Sequence, residues 1–273
     1  MSKGDDTLKP ADAWNSWIQR KAVQKTDAPL GGPPPVEETG QSLALAGPPG
    51  ATRSLVANEE TGPIVTERYR LLAARLEGLS KHPSFRKVAV TSTLAGEGKT
   101  ETSVNVAFVL ARDFGRRVAV IDGDLREPSL WRYLGPEPGP GLTDVVAGRE
   151  SLDAVIRPLG HQHLAVVGAG VTQLNPTRMW RSDVIQRLFT HLESQYDYIV
   201  VDTPPVLAGV DAALTADLVD GVVLVVRSGS TPRTALQKAL GMLPRPKLVG
   251  TVLNGVKATD APYYYYHYHQ PRK

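Results

Sequence analysis

One octapeptide, Thr93-Leu94-Ala95-Gly96-Glu97-Gly98-Lys99-Thr100, sits between an apolar run and a helical stretch that starts at Glu101. A strand, a glycine turn and a helix in that order form a cradle for oxyanions, because the turn's backbone N–H groups and the positive helix end face the same point. Lys99 would reach the β- and γ-phosphates of ATP, and the Thr100 hydroxyl is a hard oxygen ligand for Mg²⁺. Leu94, Ala95, Gly96, Glu97, Gly98 and Glu101 complete the cofactor-binding loop. Thr93 stands where the common pattern has glycine, while the second half, Gly96 to Thr100, is intact.

Two acids, Asp122 and Asp124, follow the apolar run Val118-Ala119-Val120-Ile121. Carboxylates at i and i+2 where a strand ends can address one metal and phosphate space, which core packing does not require. A third, Asp202, ends Tyr198-Ile199-Val200-Val201 and is placed to hold Mg²⁺. The C-terminus supplies Tyr263, Tyr264, Tyr265, Tyr266 and Tyr268, five of the chain's nine tyrosines. Tyrosine favours strands, so the run reads either as a sheet-edge segment or as a set of phosphate acceptors. His267 and His269 have no acidic or thiol neighbours there and read as solvated.

These groups need a frame. With 273 residues the chain has room for one α/β domain plus extra sequence. Apolar, β-branched runs at 87–92, 117–121, 163–167, 198–201, 222–226 and 248–253 alternate with helical stretches. Near-continuous apolar strands suit a sheet covered on both faces, and the alternation predicts an α/β fold with a doubly wound, mostly parallel sheet. Ligands of such folds bind at the carboxyl ends of strands, where the loop and the three acids fall. Residues 27–58 are rich in Pro and Gly and read as a disordered linker. Ahead of it, Trp14, Trp17 and Ile18 share a helical face, which either packs back on the domain or docks on another protein. The expected division is a leader and linker over 1–60, a nucleotide-binding domain over 61–258 and a tail over 259–273. A net charge of +3 without a long run of like charges argues against a nucleic-acid surface. No cysteine is present, which excludes disulfides and thiolate chemistry. No signal peptide or membrane-spanning run is apparent.

The loop, the acid pair and Asp202, in this order and spacing, resemble the bacterial tyrosine kinases, P-loop proteins related to the MinD/ParA ATPases. Further matching landmarks are Gly141 to Gly148, Asn175-Pro176 and Gly250-Thr251-Val252-Leu253-Asn254, so the resemblance covers about residues 61–268. It implies a cytoplasmic autokinase of capsule or exopolysaccharide export, using ATP and Mg²⁺ and phosphorylating the tail tyrosines in trans. Lys99, Asp122, Asp124 and Asp202 would be catalytic, Thr100, Asp122, Asp124 and Asp202 would handle the metal, and Asn254 would join the nucleotide site. Implied partners are a membrane co-polymerase or adaptor with a cytoplasmic tail, further copies of the chain and a tyrosine phosphatase. The family's assembly helix carries Glu, Arg and Arg at three-residue spacing; Glu67 and Arg70 match, and Ala73 replaces the second arginine. Two other readings are a positioning ATPase of the MinD/ParA type and a nucleotide sensor without turnover. The positioning ATPases carry a signature lysine where this chain has Leu94.

Overall fold

The computed structural model describes residues 55–56, 62–80, 85–134, 139–159, 163–171 and 173–256. The Trp-bearing leader, nearly all of the Pro/Gly-rich segment and the tyrosine tail lie outside the described residues.

Seven strands form a single sheet: β1 (Lys87–Ser92), β2 (Val118–Asp122), β3 (Ile156–Pro158), β4 (Leu164–Val167), β5 (Tyr198–Asp202), β6 (Gly221–Arg227) and β7 (Leu248–Asn254). Their order is β3-β4-β2-β5-β1-β6-β7, parallel throughout except that β3 runs antiparallel to β4. The six apolar runs of the sequence each become a parallel strand, and β3 is the addition. Nine helices join them among the described residues: α1 (Pro63–Ser80), α2 (Lys99–Arg112), α3 (Trp131–Leu134), α4 (Leu142–Val146), α5 (Leu152–Val155), α6 (Pro176–Trp180), α7 (Asp183–Gln195), α8 (Asp211–Leu218) and α9 (Arg233–Met242).

Alternate strand residues enter two different cores. Val88, Val90, Val118, Val120 and Val200 pack on one face with Leu76, Phe108 and Leu110 from α1 and α2. Ala89, Ala119, Ile121, Ile199 and Val201 pack on the other with Leu188 and Leu192 from α7. Burial on both faces is why these strands read as continuous apolar runs rather than alternating ones. Leu55 and Val56, within the stretch that reads as linker, are buried in the first core, and Val56 N–H donates to Asn105 Oδ1 at 2.8 Å.

The sheet order brings the chemistry together. β5 lies between β1 and β2, with Val90 opposite Asp202 and Asp202 opposite Asp122 in register. Two acids from separate parts of the chain are thereby side by side at the carboxyl edge, next to the loop that leaves β1. On α1, Tyr69, Ala73 and Leu76 form the buried face. Ala73 is 0% exposed and sits in the core, so the face that would carry a second assembly arginine is used for packing. Arg70 is held within the domain by Glu67 at 3.4 Å and by Asp113 at 2.8 Å.

Candidate active site

The loop after β1 turns twice through glycines in the left-handed region, Gly96 at φ 77° and Gly98 at φ 92°, where a side chain would be strained. Gly98 is the residue before α2, and a Cβ there would lie 2.1 Å from the Asn254 side-chain nitrogen. Asn254 ends β7 and donates to Glu97 O at 3.0 Å, while Arg227, ending β6, donates to Gly96 O at 2.8 Å. Two strand ends thus brace the loop from outside. The Glu97 carboxylate is buried, accepting from Leu94 N–H at 3.0 Å and from the Thr231 hydroxyl. Thr93, at the place of the usual glycine, is buried with its hydroxyl unpartnered.

At the start of α2, Lys99 Nζ lies 2.9 Å from Asp124 Oδ2 and 3.6 Å from Asp202 Oδ2. Thr100 Oγ1 donates to Asp202 Oδ2 at 2.7 Å, and Ser103 Oγ donates to Asp202 Oδ1 at 3.1 Å. The Asp122 carboxylate lies behind them. Its Oδ2 accepts from Ser129 and Leu130 N–H at 3.1 and 3.0 Å, and its Oδ1 from Asp124 N–H at 3.3 Å. Asp122 therefore shapes the turn that presents Asp124. Gly123 between them is pinned, since a Cβ would meet Asp202 O at 2.7 Å and the Trp180 indole at 3.0 Å.

Three carboxylates around one ammonium leave the site short of positive charge. Burial, reinforced by Asp202, pushes the Asp122 carboxyl up to about 7. Burial also raises Asp202, against the pull of Lys99. Burial penalises the Lys99 ammonium, but Asp202 and Asp124 outweigh it and its pKa is raised. An excess of buried carboxylate oxygen next to a hydroxyl is a donor set that fits a hard divalent cation. Among the described residues no group of three or more acids or histidines forms an all-protein metal cage, and Mg²⁺ needs none, since one or two carboxylates and the substrate's phosphates usually hold it.

All of this opens on a cleft of about 840 Å³ lined by Ala95, Gly96, Gly98, Lys99, Thr100, Glu101, Asp124 and Asn254, among others. Of the expected nucleotide and metal residues, the ones absent from the lining are Leu94, Glu97, Asp122 and Asp202; the Glu97, Asp122 and Asp202 side chains are buried behind it. The structure adds residues that the sequence reading missed. Ser129 lines the cleft with its hydroxyl 3.0 Å from Thr100 Oγ1. Arg227 and Tyr133 line it too, and Arg126 Nε reaches the buried Asp211 at 2.9 Å, tying the turn after β2 to α8. Arg126, Ser129 and Tyr133 follow Asp124 within nine residues, a signal that the spacing offered, whereas Arg227 arrives through strand order.

A glycine loop between β1 and α2, braced by the ends of β6 and β7 and faced by acids from β2 and β5, defines a P-loop nucleotide-binding domain. The family described as "ParA: NUBPL iron-transfer P-loop NTPase" matches residues 85–256. This chain has no cysteine to supply a thiolate for iron. Tyrosine-protein kinase YwqD of Bacillus subtilis (strain 168) is 33% identical over 217 residues, 79% of this chain and 91% of that protein. The solved BceF tyrosine kinase domain superposes with a TM-score of 0.65 at 28% identity, covering 76% of this chain and 82% of that one. The septum-site protein MinD of Pyrococcus horikoshii OT3, solved with Mg-ADP, shares the fold at TM-score 0.54 and 24% identity, over 66% of this chain and 75% of that one. The chain belongs to the bacterial tyrosine-protein kinases, enzymes that transfer phosphate from ATP to tyrosine.

Proposed function

We propose that the chain is a Mg²⁺- and ATP-dependent autokinase that phosphorylates Tyr263, Tyr264, Tyr265, Tyr266 and Tyr268 of a neighbouring copy. The observation that carries this reading is the convergence of Lys99, Thr100, Asp124 and Asp202 within hydrogen-bond or ion-pair distance at the start of α2. ATP would lie along the cleft with its phosphates on the loop, Lys99 leaving Asp124 for the β- and γ-phosphates. Mg²⁺, held by Thr100 and by Asp202 directly or through water, would neutralise charge on the transferring group. Asp124 is the acid of the pair that lines the cleft, so it is the group that meets the incoming phenol. A phenol with a pKa near 10 is neutral at pH 7 and needs a base. The tyrosine oxygen forms a bond to the γ-phosphorus, the bridging bond to the β-phosphate breaks, and the phenolic proton passes to the carboxylate. ADP leaves. Asp122 keeps Asp124 in place from behind.

Ala73 is packed in the core, so a contact between copies would not use an arginine there. By kinship with its relatives, the process served is capsule or exopolysaccharide export. A membrane co-polymerase or adaptor tail would recruit the kinase to the membrane's cytoplasmic side, and a tyrosine phosphatase would reset it. No helix among the described residues is long and apolar enough to cross a membrane, which supports recruitment through such a partner.

Labelled ATP and Mg²⁺ test the proposal with the full chain, Lys99→Met and a truncation after Pro262, each with and without an adaptor-tail peptide. Phosphotyrosine that both changes abolish is the expected result. Hydrolysis without labelled protein would instead support a positioning ATPase, and binding alone a sensor.

A further inference from the structure

The cleft lining offers two chemically different sets of groups. Lys99, Thr100, Asp124 and Ser129 offer an ammonium, hydroxyls and a carboxylate, which suit phosphate and cation. Glu101 and Asn254 both lie beside Gly98, where a Cβ would have Asn254 Nδ2 at 2.1 Å and Glu101 Oε2 at 3.8 Å. Glu101 is the third residue of α2 and lines the cleft with Tyr133. Its charge raises the pKa of Tyr133, second to the effect of burial, so the carboxylate acts across the cleft wall.

An acid in the first turn stabilises a helix by opposing its dipole, and that alone would explain a glutamate here. This glutamate, however, lines the cleft two residues beyond the phosphate-binding lysine. A carboxylate there repels phosphate oxygens, so its favourable partners on the ligand are hydrogen-bond donors. A nucleotide has two kinds: the ribose hydroxyls, on the sugar joined to the α-phosphate, and amino groups on the base, one sugar further away. The ribose is the nearer of the two to the phosphate loop, beside which Glu101 sits in the first turn of α2. We propose that the Glu101 carboxylate accepts hydrogen bonds from the ribose hydroxyls of the bound nucleotide and so selects ribonucleotides over deoxyribonucleotides. This rests on the reading of the cleft as the ATP site.

The test is titration calorimetry of the full chain, Glu101→Gln and Glu101→Ala with ATP, 2′-deoxy-ATP, 3′-deoxy-ATP and GTP, all with Mg²⁺. Hydrogen bonds to a charged acceptor predict that the unaltered protein binds ATP about 10- to 100-fold more tightly than at least one deoxy analogue. Glu101→Ala should bind ATP and the analogues alike, while Glu101→Gln, which keeps a carbonyl acceptor, should retain part of the preference. Equal binding of ATP and both analogues by the unaltered protein, or an undiminished preference in Glu101→Ala, would overturn the inference. So would a loss of ATP-over-GTP selectivity in place of ribose selectivity, which would assign Glu101 to the base. Failure of the unaltered chain to bind any of these nucleotides would remove the ATP site itself. Ribose selection without phosphotyrosine formation would leave Glu101's role standing and sink the autokinase reading.

Discussion

Asp122 and Asp124 are two residues apart in the chain and have different surroundings. Both are buried, but Asp122 has both oxygens taking backbone N–H groups, whereas Asp124 lines the cleft and pairs with Lys99. Asp124→Asn should therefore remove the base and lower the phosphotransfer kcat by about 10²- to 10⁴-fold, with modest change in the KM for ATP. Asp122→Asn should show its effect in pH dependence instead. With a folded pKa of about 7 against 3.8 for an ordinary aspartate, the ligand-free protein keeps a proton that the unfolded chain has lost between those values. Its stability should fall as pH rises through that window and level off above it. A cation held nearby by Thr100 and Asp202 favours the ionised form of Asp122, so Mg·ATP affinity should weaken as pH drops from about 8 to 6, with proton release visible as a buffer-dependent binding enthalpy. In Asp122→Asn both pH dependences should flatten. Unchanged proton release in that variant would place the titration elsewhere.

The elements that hold these residues were legible to different degrees. The six parallel strands stood out because burial on both faces forces continuous apolar runs. β3 did not, because two half-buried residues and an exposed Pro158 carry no period, and their pairing with β4 is set by tertiary packing. The loop and the three acids could be read from spacing, since each follows or ends an apolar run and the carboxyl ends of parallel strands share one sheet edge; the pairing of Asp122 with Asp202 came from the sheet order. The bracing by Arg227, Thr231 and Asn254 depends on β6 lying beside β1 and β7 beside β6, which spacing along the chain does not encode; only Asn254 was expected, through the family resemblance. Gly98→Ala tests that bracing. The new methyl would collide with the Asn254 amide and strain a backbone at φ 92°, so nucleotide affinity should fall about tenfold or more with the fold retained. Replacing Asn254 by Ala in the same variant should relieve the collision alone and restore affinity only partly. Ala73→Arg, which would recreate the family's usual assembly arginine, should destabilise the domain by about 3–5 kcal/mol, the cost of a buried and uncompensated charge, read as a fall in the denaturation midpoint.

Charge provides the reading for the molecule as a whole. The chain carries +3 at pH 7, and each phosphotyrosine adds about −1.5 to −2. Phosphorylating all five tail tyrosines would take the net charge to about −5 to −7, a reversal of sign confined to the last dozen residues. Tails of one sign brought together in an assembly repel, and exposed charges feel one another mainly within about 8–10 Å at physiological salt, so the effect should fade as ionic strength rises. Protein phosphorylated with ATP and Mg²⁺ should therefore elute later from an anion exchanger and show a lower mass by light scattering at low salt than protein treated with a tyrosine phosphatase. The mass difference should shrink in about 1 M salt, where the screening length is about 3 Å. A chain with all five tail tyrosines replaced by phenylalanine should behave as the dephosphorylated protein under every condition. If its mass still falls on incubation with Mg·ATP, disassembly follows nucleotide binding rather than tail charge, and the tail is then product and not switch.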